Sequence, residues 1–315
     1  VTLGGPVRRS FVPIVLASLL LGGASALAAN PFLRGADRPV PIFDIAHAGA
    51  SSLAPQNTLA AGRVALELGA DVWGVDVHST EDGIFILMHD ETLDRTTDVE
   101  EVFPTRAPWR VEDFTLDEIR RLDAGSWFLR EDPFGQIEAG RLSAADLESY
   151  VGEPVPTLRE ALEFVVEHRW LIDIEVKPTA DSDPEGLVRR LLDLIEETGA
   201  AGSAMISSFD HEILRAVKRL DPTVPIGALS IFPPFDPVAY LNDLQADVYL
   251  PSLVGFTDAL LRDLSEAGIG VHVWTYNAED QLERLADTPG ITGIYTDFPQ
   301  RLEPILERSD HAADE

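Results

Sequence analysis

At 315 residues the chain has room for one α/β barrel of about 250 residues with additions. Its 54 acidic residues against 24 basic ones give a formal net charge of -30, a field that repels nucleic acid and anionic lipid surfaces and implies a solvated acidic exterior. Cysteine is absent, which excludes disulfides, thiolate metal sites and a Cys nucleophile, and Lys177 and Lys218 are the only lysines.

The N-terminus has the pattern of an address. Arg8 and Arg9 precede an apolar run from Phe11 to Leu21, and Ala26-Leu27-Ala28 offers an A-x-A-like cleavage site. This predicts a signal peptide over residues 1–28 and export to the periplasm or beyond, with no membrane span left after cleavage. The run is Gly-interrupted and short of the ~20 apolar residues a span needs. An uncleaved anchor is the competing reading, and Arg8-Arg9-Ser10-Phe11-Val12 also resembles a twin-arginine signal.

From about residue 40 to 308, short apolar runs alternate with amphipathic stretches, the signature of βα units. Strands are expected at 41–46, 71–77, 84–88, 171–176, 204–208, 225–229, 248–250, 270–275 and 292–296. Helices are expected at 58–68, 184–198, 212–220, 237–244, 258–267 and 278–286. Thr157-Leu158-Arg159-Glu160 is a capping box that opens one more helix. The fold class expected is α/β, a TIM-type (β/α)8 barrel with nine strand candidates for eight slots; one candidate is false or forms a hairpin above the barrel. A doubly wound open sheet is the alternative, but the Gly-rich first turn it usually carries is missing. Residues 97–155, with Trp109, Trp127, Phe128 and Phe134, are too long for a connection and read as an inserted capping subdomain whose aromatics form its own small core. Residues 309–315 read as a loose acidic tail.

In a parallel barrel, functional groups gather at the C-terminal strand ends. There the sequence places His47, Asp76, His78, His89 and Asp90, then Asp173, Glu175 and Lys177 in an alternating row on one strand face. A packed barrel has no use for two acids and a lysine pointing inward. His78, His168 and His272 have an ordinary structural reading, and Asp90 could simply cap a turn. The remaining set suits phosphodiester cleavage. Carboxylates bind a hard divalent cation, an ammonium group neutralises phosphate oxygens, and two imidazoles divide the proton transfers.

His47-Ala48-Gly49-Ala50 with Pro55-Gln56-Asn57-Thr58-Leu59-Ala60-Ala61 resembles the opening of the glycerophosphodiester phosphodiesterase family. So do Asp76-Val77, His89-Asp90-Glu91-Thr92, Glu175-Val176-Lys177, Ser207-Ser208-Phe209, Val273-Trp274-Thr275-Tyr276-Asn277 and Thr296-Asp297-Phe298-Pro299, in order across residues 40 to 303. The resemblance implies hydrolysis of glycerophosphodiesters to an alcohol and glycerol phosphate. It implies His47 and His89 as the acid/base pair, Asp76 and Glu175 as ligands of Ca²⁺ or Mg²⁺, and Lys177, Asn57 and Trp274 as substrate contacts. The partner it implies is a small phosphodiester. Three positions depart from the pattern: Ala48 replaces a phosphate-binding Arg, Gln56 a Glu, and Gly74 a metal-binding Glu. Losing a carboxylate and an Arg weakens the cation site and the phosphate clamp, and His78 could supply a ligand to a softer metal. Two further readings are therefore expected to compete: a catalytically impaired barrel that binds phosphodiesters or polyol phosphates, and a hydrolase acting on a lipid or cell-envelope phosphodiester.

Overall fold

A computed structural model describes residues 30–33, 42–177, 183–252 and 254–313, with side chains as far as residue 308. The expected signal peptide lies outside the described residues. Nine strands form: β1 (Phe43–His47), β2 (Val72–Ser79), β3 (Phe85–Leu87), β4 (Leu171–Val176), β5 (Ala204–Ser208), β6 (Ile226–Ser230), β7 (Val248–Pro251), β8 (Gly270–Val273) and β9 (Gly293–Thr296). Eight of them close into a parallel barrel in the order β1-β9-β8-β7-β6-β5-β4-β2, with β2 returning to β1. The ninth, β3, pairs antiparallel with the end of β2. Its turn needs Gly83 at a φ of +79°, and Thr80 accepts the Ile84 N–H through its hydroxyl at 2.9 Å. The surplus candidate is thus a hairpin standing on the barrel rim.

Barrel strands are covered on both faces, so they are nearly continuously apolar. One apolar layer joins the strands to the surrounding helices through Ile172, Ile174, Leu191, Leu214 and Val271, all buried. A second fills the barrel with Phe43, Ile45, Val72, Met205, Val248 and Tyr295, and Phe32 joins it. Phe32 is fully buried, and Asn30 beside it donates to Asp247 at 2.9 Å, just ahead of β7. The segment 30–33 therefore plugs the end of the barrel where its strands begin.

The insertion lies between β3 and β4 and consists of short helices around two apolar clusters. Phe114, Ile119 and Leu122 pack with Ile86 and Met88 of the hairpin, with Trp109 against them. Trp127, Phe128 and Tyr150 pack on Ala54, Ala60 and Ala61 of the loop and helix after β1. Burying each of these rings stabilises by about 2–3 kcal/mol, enough to hold helices too short to persist alone. The cap is fixed over one side of the opening. Tyr150 donates to the Leu53 carbonyl at 3.1 Å, the Ala60 N–H donates to Glu153 at 3.1 Å, and Phe134 packs edge-on against Phe298 with centroids 5.4 Å apart. Phe134 therefore serves the contact between cap and barrel rather than the cap's core. The last helix, Pro299–Ala313, runs past Arg308, so the chain there is helical where a loose tail was expected. Among the described residues, no helix is long and apolar enough to cross a membrane.

Candidate active site

The site begins where β1 ends. After His47 the chain turns through Ala48 and Gly49, both left-handed at φ 53° and 88°. A Cβ on Gly49 would lie 2.6 Å from the Ala61 Cβ and 2.7 Å from the Ala61 carbonyl carbon, so only glycine allows the helix Leu59–Glu67 to approach this closely. The loop returns at Asn57, also left-handed, whose N–H donates to the Ala48 carbonyl at 2.9 Å. Thr58 then caps the helix by accepting the Ala61 N–H at 3.2 Å.

Parallel register sets the depth of the inward groups. Gly74 of β2 stands beside Asp173 of β4, and Asp76 beside Glu175 one layer nearer the opening. Lys177 follows at the strand end, and its ammonium bridges the upper pair at 2.7 Å from Asp76 Oδ1 and 2.5 Å from Glu175 Oε1. His47, Asp76, His89, Glu175, Lys177 and Trp274 all line one cavity of about 180 Å³. Residues separated by up to 227 positions are brought to a single mouth.

Both imidazoles are tied in the same way. His47 Nδ1 lies 2.8 Å from Asp297 Oδ1, and Asp297 accepts from the Asn277 amide at 2.6 Å and from Ser51 at 3.2 Å. His89 Nδ1 lies 2.6 Å from Asp90 Oδ1, and Asp90 is held by the Arg95 guanidinium through Nε to Oδ2 and Nη2 to Oδ1. A carboxylate acceptor at Nδ1 keeps the proton there, leaving Nε2 of each ring for substrate.

The charges interact strongly. Burial would raise the Asp76 carboxyl, but the Lys177 ammonium, His89, His47 and the Asn57 amide together hold it well below the usual carboxylate range. Glu175 goes the other way, pushed up by burial and by the Asp76 charge against the pull of Lys177. Burial works against the charge on Lys177, yet its two carboxylates raise its pKa and keep it an ammonium. Burial also works against a charged His47, but the bond and charge of Asp297 prevail and its pKa is raised. Asp173 is pushed up to about 7 by burial, in spite of hydrogen bonds from Tyr295 and from Ser207 at 2.9 Å.

Several side chains stand apart from the substrate roles or ligand roles the sequence suggested. Asn57 is buried with both amide atoms committed to Asp76: Nδ2 donates to Oδ2 at 2.7 Å, and Oδ1 accepts the Asp76 N–H at 3.1 Å. It orients a carboxylate and is not among the residues lining the cavity, where the resemblance implied a substrate contact. His78 is likewise absent from the lining; it sits in the hairpin itself, opposite Ile86, with Nε2 3.4 Å from the His89 carbonyl, and burial lowers its pKa. His272 is buried edge-on to Phe43, and His168 binds the Phe164 carbonyl at 2.8 Å, both structural as expected. Gln56 accepts from Arg95 at 3.3 Å and so braces the arginine that holds Asp90. At Gly74, a Cβ would lie 3.0 Å from Tyr295 Cε1: the tyrosine ring takes up the space next to the missing side chain and donates its hydroxyl to Asp173.

A (β/α)8 barrel with two carboxylate-backed imidazoles, paired acids and a lysine at the C-terminal strand ends is the framework of a phosphoric diester hydrolase. The chain belongs to the glycerophosphoryl diester phosphodiesterase family, whose model matches residues 47–301. It is 34% identical over 258 residues to a glycerophosphodiester phosphodiesterase of Caldanaerobacter subterraneus, covering 82% of this chain and 95% of that one. It is 32% identical over 271 residues to a glycerophosphodiester phosphodiesterase of Bacillus subtilis, covering 83% and 85%. Among solved structures it is similar to an Oleispira antarctica phosphodiesterase in complex with the product sn-glycerol-3-phosphate, with a TM-score of 0.70, 26% identity and coverage of 85% and 97%.

Proposed function

We propose that this chain hydrolyses glycerophosphodiesters to an alcohol and glycerol phosphate, with His47 and His89 as the proton-transfer pair. The observation that carries this is the pairing of each imidazole with a carboxylate at Nδ1, on a shared cavity that also holds Lys177. His47, whose charged form Asp297 stabilises, suits the acid that gives its Nε2 proton to the departing alkoxide oxygen. His89 takes the proton from the attacking glycerol hydroxyl as the cyclic ester forms; His47, now neutral, then takes the proton of the water that opens the ring, and His89 returns its proton to the glycerol oxygen released. Lys177 is the group to neutralise the nonbridging oxygens, and Trp274 offers an apolar face to the glycerol.

The donors present fit a hard divalent cation such as Ca²⁺ or Mg²⁺, since all are carboxylate oxygens. Asp173 Oδ1, one layer below, is buried without a hydrogen-bond partner. Among the described residues no three His, Asp or Glu side chains form a ready-made cage, and Lys177 stands between the two acids. Asp76 and Glu175 would hold the cation, which would supply further positive charge to the phosphate oxygens.

A second reading, binding without turnover, draws on Ala48 and on the Tyr295 ring packed against Gly74. The two are separated by assaying the purified chain on glycerophosphocholine with Ca²⁺, Mg²⁺ or chelator, alongside calorimetric titration. Turnover is expected, with His47→Ala and His89→Ala each lowering kcat by about 10²–10⁴-fold. Binding with no product under any metal condition would establish the second reading instead.

A further inference from the structure

The opening of the barrel has two unlike halves. Strands β9, β1, β2 and β4 bring the charged groups, from Asp297 to Lys177, and the cap covers this side. Strands β5, β6, β7 and β8 are neighbours in the sheet, and the segments leaving their C-terminal ends are apolar. They carry Phe209 after β5, Ile231, Phe232 and Phe235 after β6, Val254 after β7 and Trp274 after β8. Eight large hydrophobic side chains are exposed among the described residues, and five of them, Phe209, Ile231, Phe232, Phe235 and Val254, stand on this arc. Phe232 is 71% exposed and Phe235 fully so. Isolated exposed apolar residues need no explanation, but a cluster at the rim of a pocket marks a binding surface.

The arc is built rather than loose. Pro233 and Pro234 stiffen the loop between the two phenylalanines. Ser252 donates its hydroxyl to the Ile231 carbonyl at 2.7 Å and its N–H to the Ser230 carbonyl at 3.0 Å, which joins the segments after β6 and β7. The arc is also continuous with the interior. Phe209 and Trp274 pack edge to face with centroids 5.6 Å apart and both line the cavity, as do Leu229 and Leu250 beneath them. An apolar track therefore starts opposite His47 and Glu175 and leads out over the uncapped rim.

Resting on the hydrolytic reading of this site, we infer that the substrate carries a hydrocarbon chain. The phosphodiester of a monoacyl glycerophospholipid occupies the charged half, and its single chain lies along the track from Trp274 towards Phe232 and Phe235. The net charge of -30 disfavours an anionic bilayer as the occupant and favours a zwitterionic or neutral alcohol group.

The test uses the full chain and two choline esters, glycerophosphocholine and a lysophosphatidylcholine of ten to twelve acyl carbons kept below its micelle concentration. The acylated ester should have a kcat/KM about 100-fold higher, a small share of what full burial of the chain would give. Phe232→Ser with Phe235→Ser should lower that value at least about tenfold while leaving glycerophosphocholine hydrolysis unchanged, because neither ring lines the cavity. Dodecylphosphocholine, titrated calorimetrically below its micelle concentration, reads the track without turnover and should bind the wild type at least about tenfold more tightly than the double variant. Equal kcat/KM for the two esters, or no difference in dodecylphosphocholine binding, overturns the inference. Hydrolysis of neither ester while dodecylphosphocholine binds through Phe232 and Phe235 would instead overturn the hydrolytic reading and leave the chain-binding track standing. Phosphatidylcholine vesicles that retain the protein through Phe235 without any preference between the soluble esters would make the arc a bilayer contact. A dimer that the Phe235→Ser change disperses would make it an interface between copies; both results count against the inference.

Discussion

Replacing Lys177 by Met tests the charge balance at the centre of the site. The methionine keeps most of the stem volume and removes the ammonium that bridges Asp76 and Glu175 at 2.7 and 2.5 Å. The Asp76 and Glu175 side chains are only 4% and 17% exposed, so water cannot replace it well. Breaking a buried ion pair from one side costs about 3–5 kcal/mol. For a chain of this size that corresponds to a fall in Tm of roughly 6–15 °C. Part of the cost can be relieved by protonating Glu175, whose pKa is already pushed up by burial and by Asp76. An acid with a folded pKa above its unfolded value loses stability as pH rises between the two, so the variant should regain stability as pH falls from 7 towards 5. In the wild type Asp76 has a depressed pKa, and its contribution is present above the ordinary carboxylate range and lost on acidification below it. The assay is a thermal melt followed by circular dichroism at pH 5 and 7, with and without millimolar Ca²⁺ or Mg²⁺. A divalent cation held by the two acids should restore most of the lost Tm. An unchanged Tm at pH 7, with no response to pH or cation, would refute the view that a buried charge cluster is balanced by this one ammonium.

Two further outcomes follow from the same geometry. Asp297→Asn removes the charge that favours the protonated form of His47, so the His47 pKa should fall; with His47 as the acid, the alkaline limb of the kcat/KM–pH profile should move to lower pH, while an unmoved limb would assign the acid elsewhere. Gly74→Glu must displace the Tyr295 ring, whose Cε1 would lie 3.0 Å from the new Cβ, and should cost about 1–3 kcal/mol in urea denaturation; adding Tyr295→Ala should recover part of it, a coupling that additive losses would disprove.

Much of this site is legible from strand endings alone, because period-two alternation fixes which side chains point inward and the barrel fixes which ends matter. His47, Asp76, Glu175 and Lys177 can be placed at one opening on that reasoning, whereas His89 follows a hairpin strand that is not part of the barrel and Trp274 is singled out only by the family resemblance. What escapes it are pairings decided in three dimensions. Asp297 lies 250 residues from His47 and sits at the end of a strand whose register is set by β1 and β8. Asn57 reads as a substrate group until its left-handed backbone turns both amide atoms onto Asp76. The absent side chain at Gly74 is legible, but the ring beside it belongs to Tyr295, on the far side of β1 in the sheet. Apolar residues such as Phe232 and Phe235 look the same in sequence whether they fill a core or face water. The surplus strand was ambiguous for a similar reason, since a three-residue apolar run does not state its partner's direction.

The plug formed by residues 30–33 at the start of the strands has a kinetic corollary. With Phe32 filling that end, the barrel is a vessel with one neck, and whatever is made inside must leave by the way the next molecule comes in. On the hydrolytic reading, a phosphorylated fragment leaving by that neck should obstruct the incoming ester, and added glycerol phosphate is expected to slow turnover.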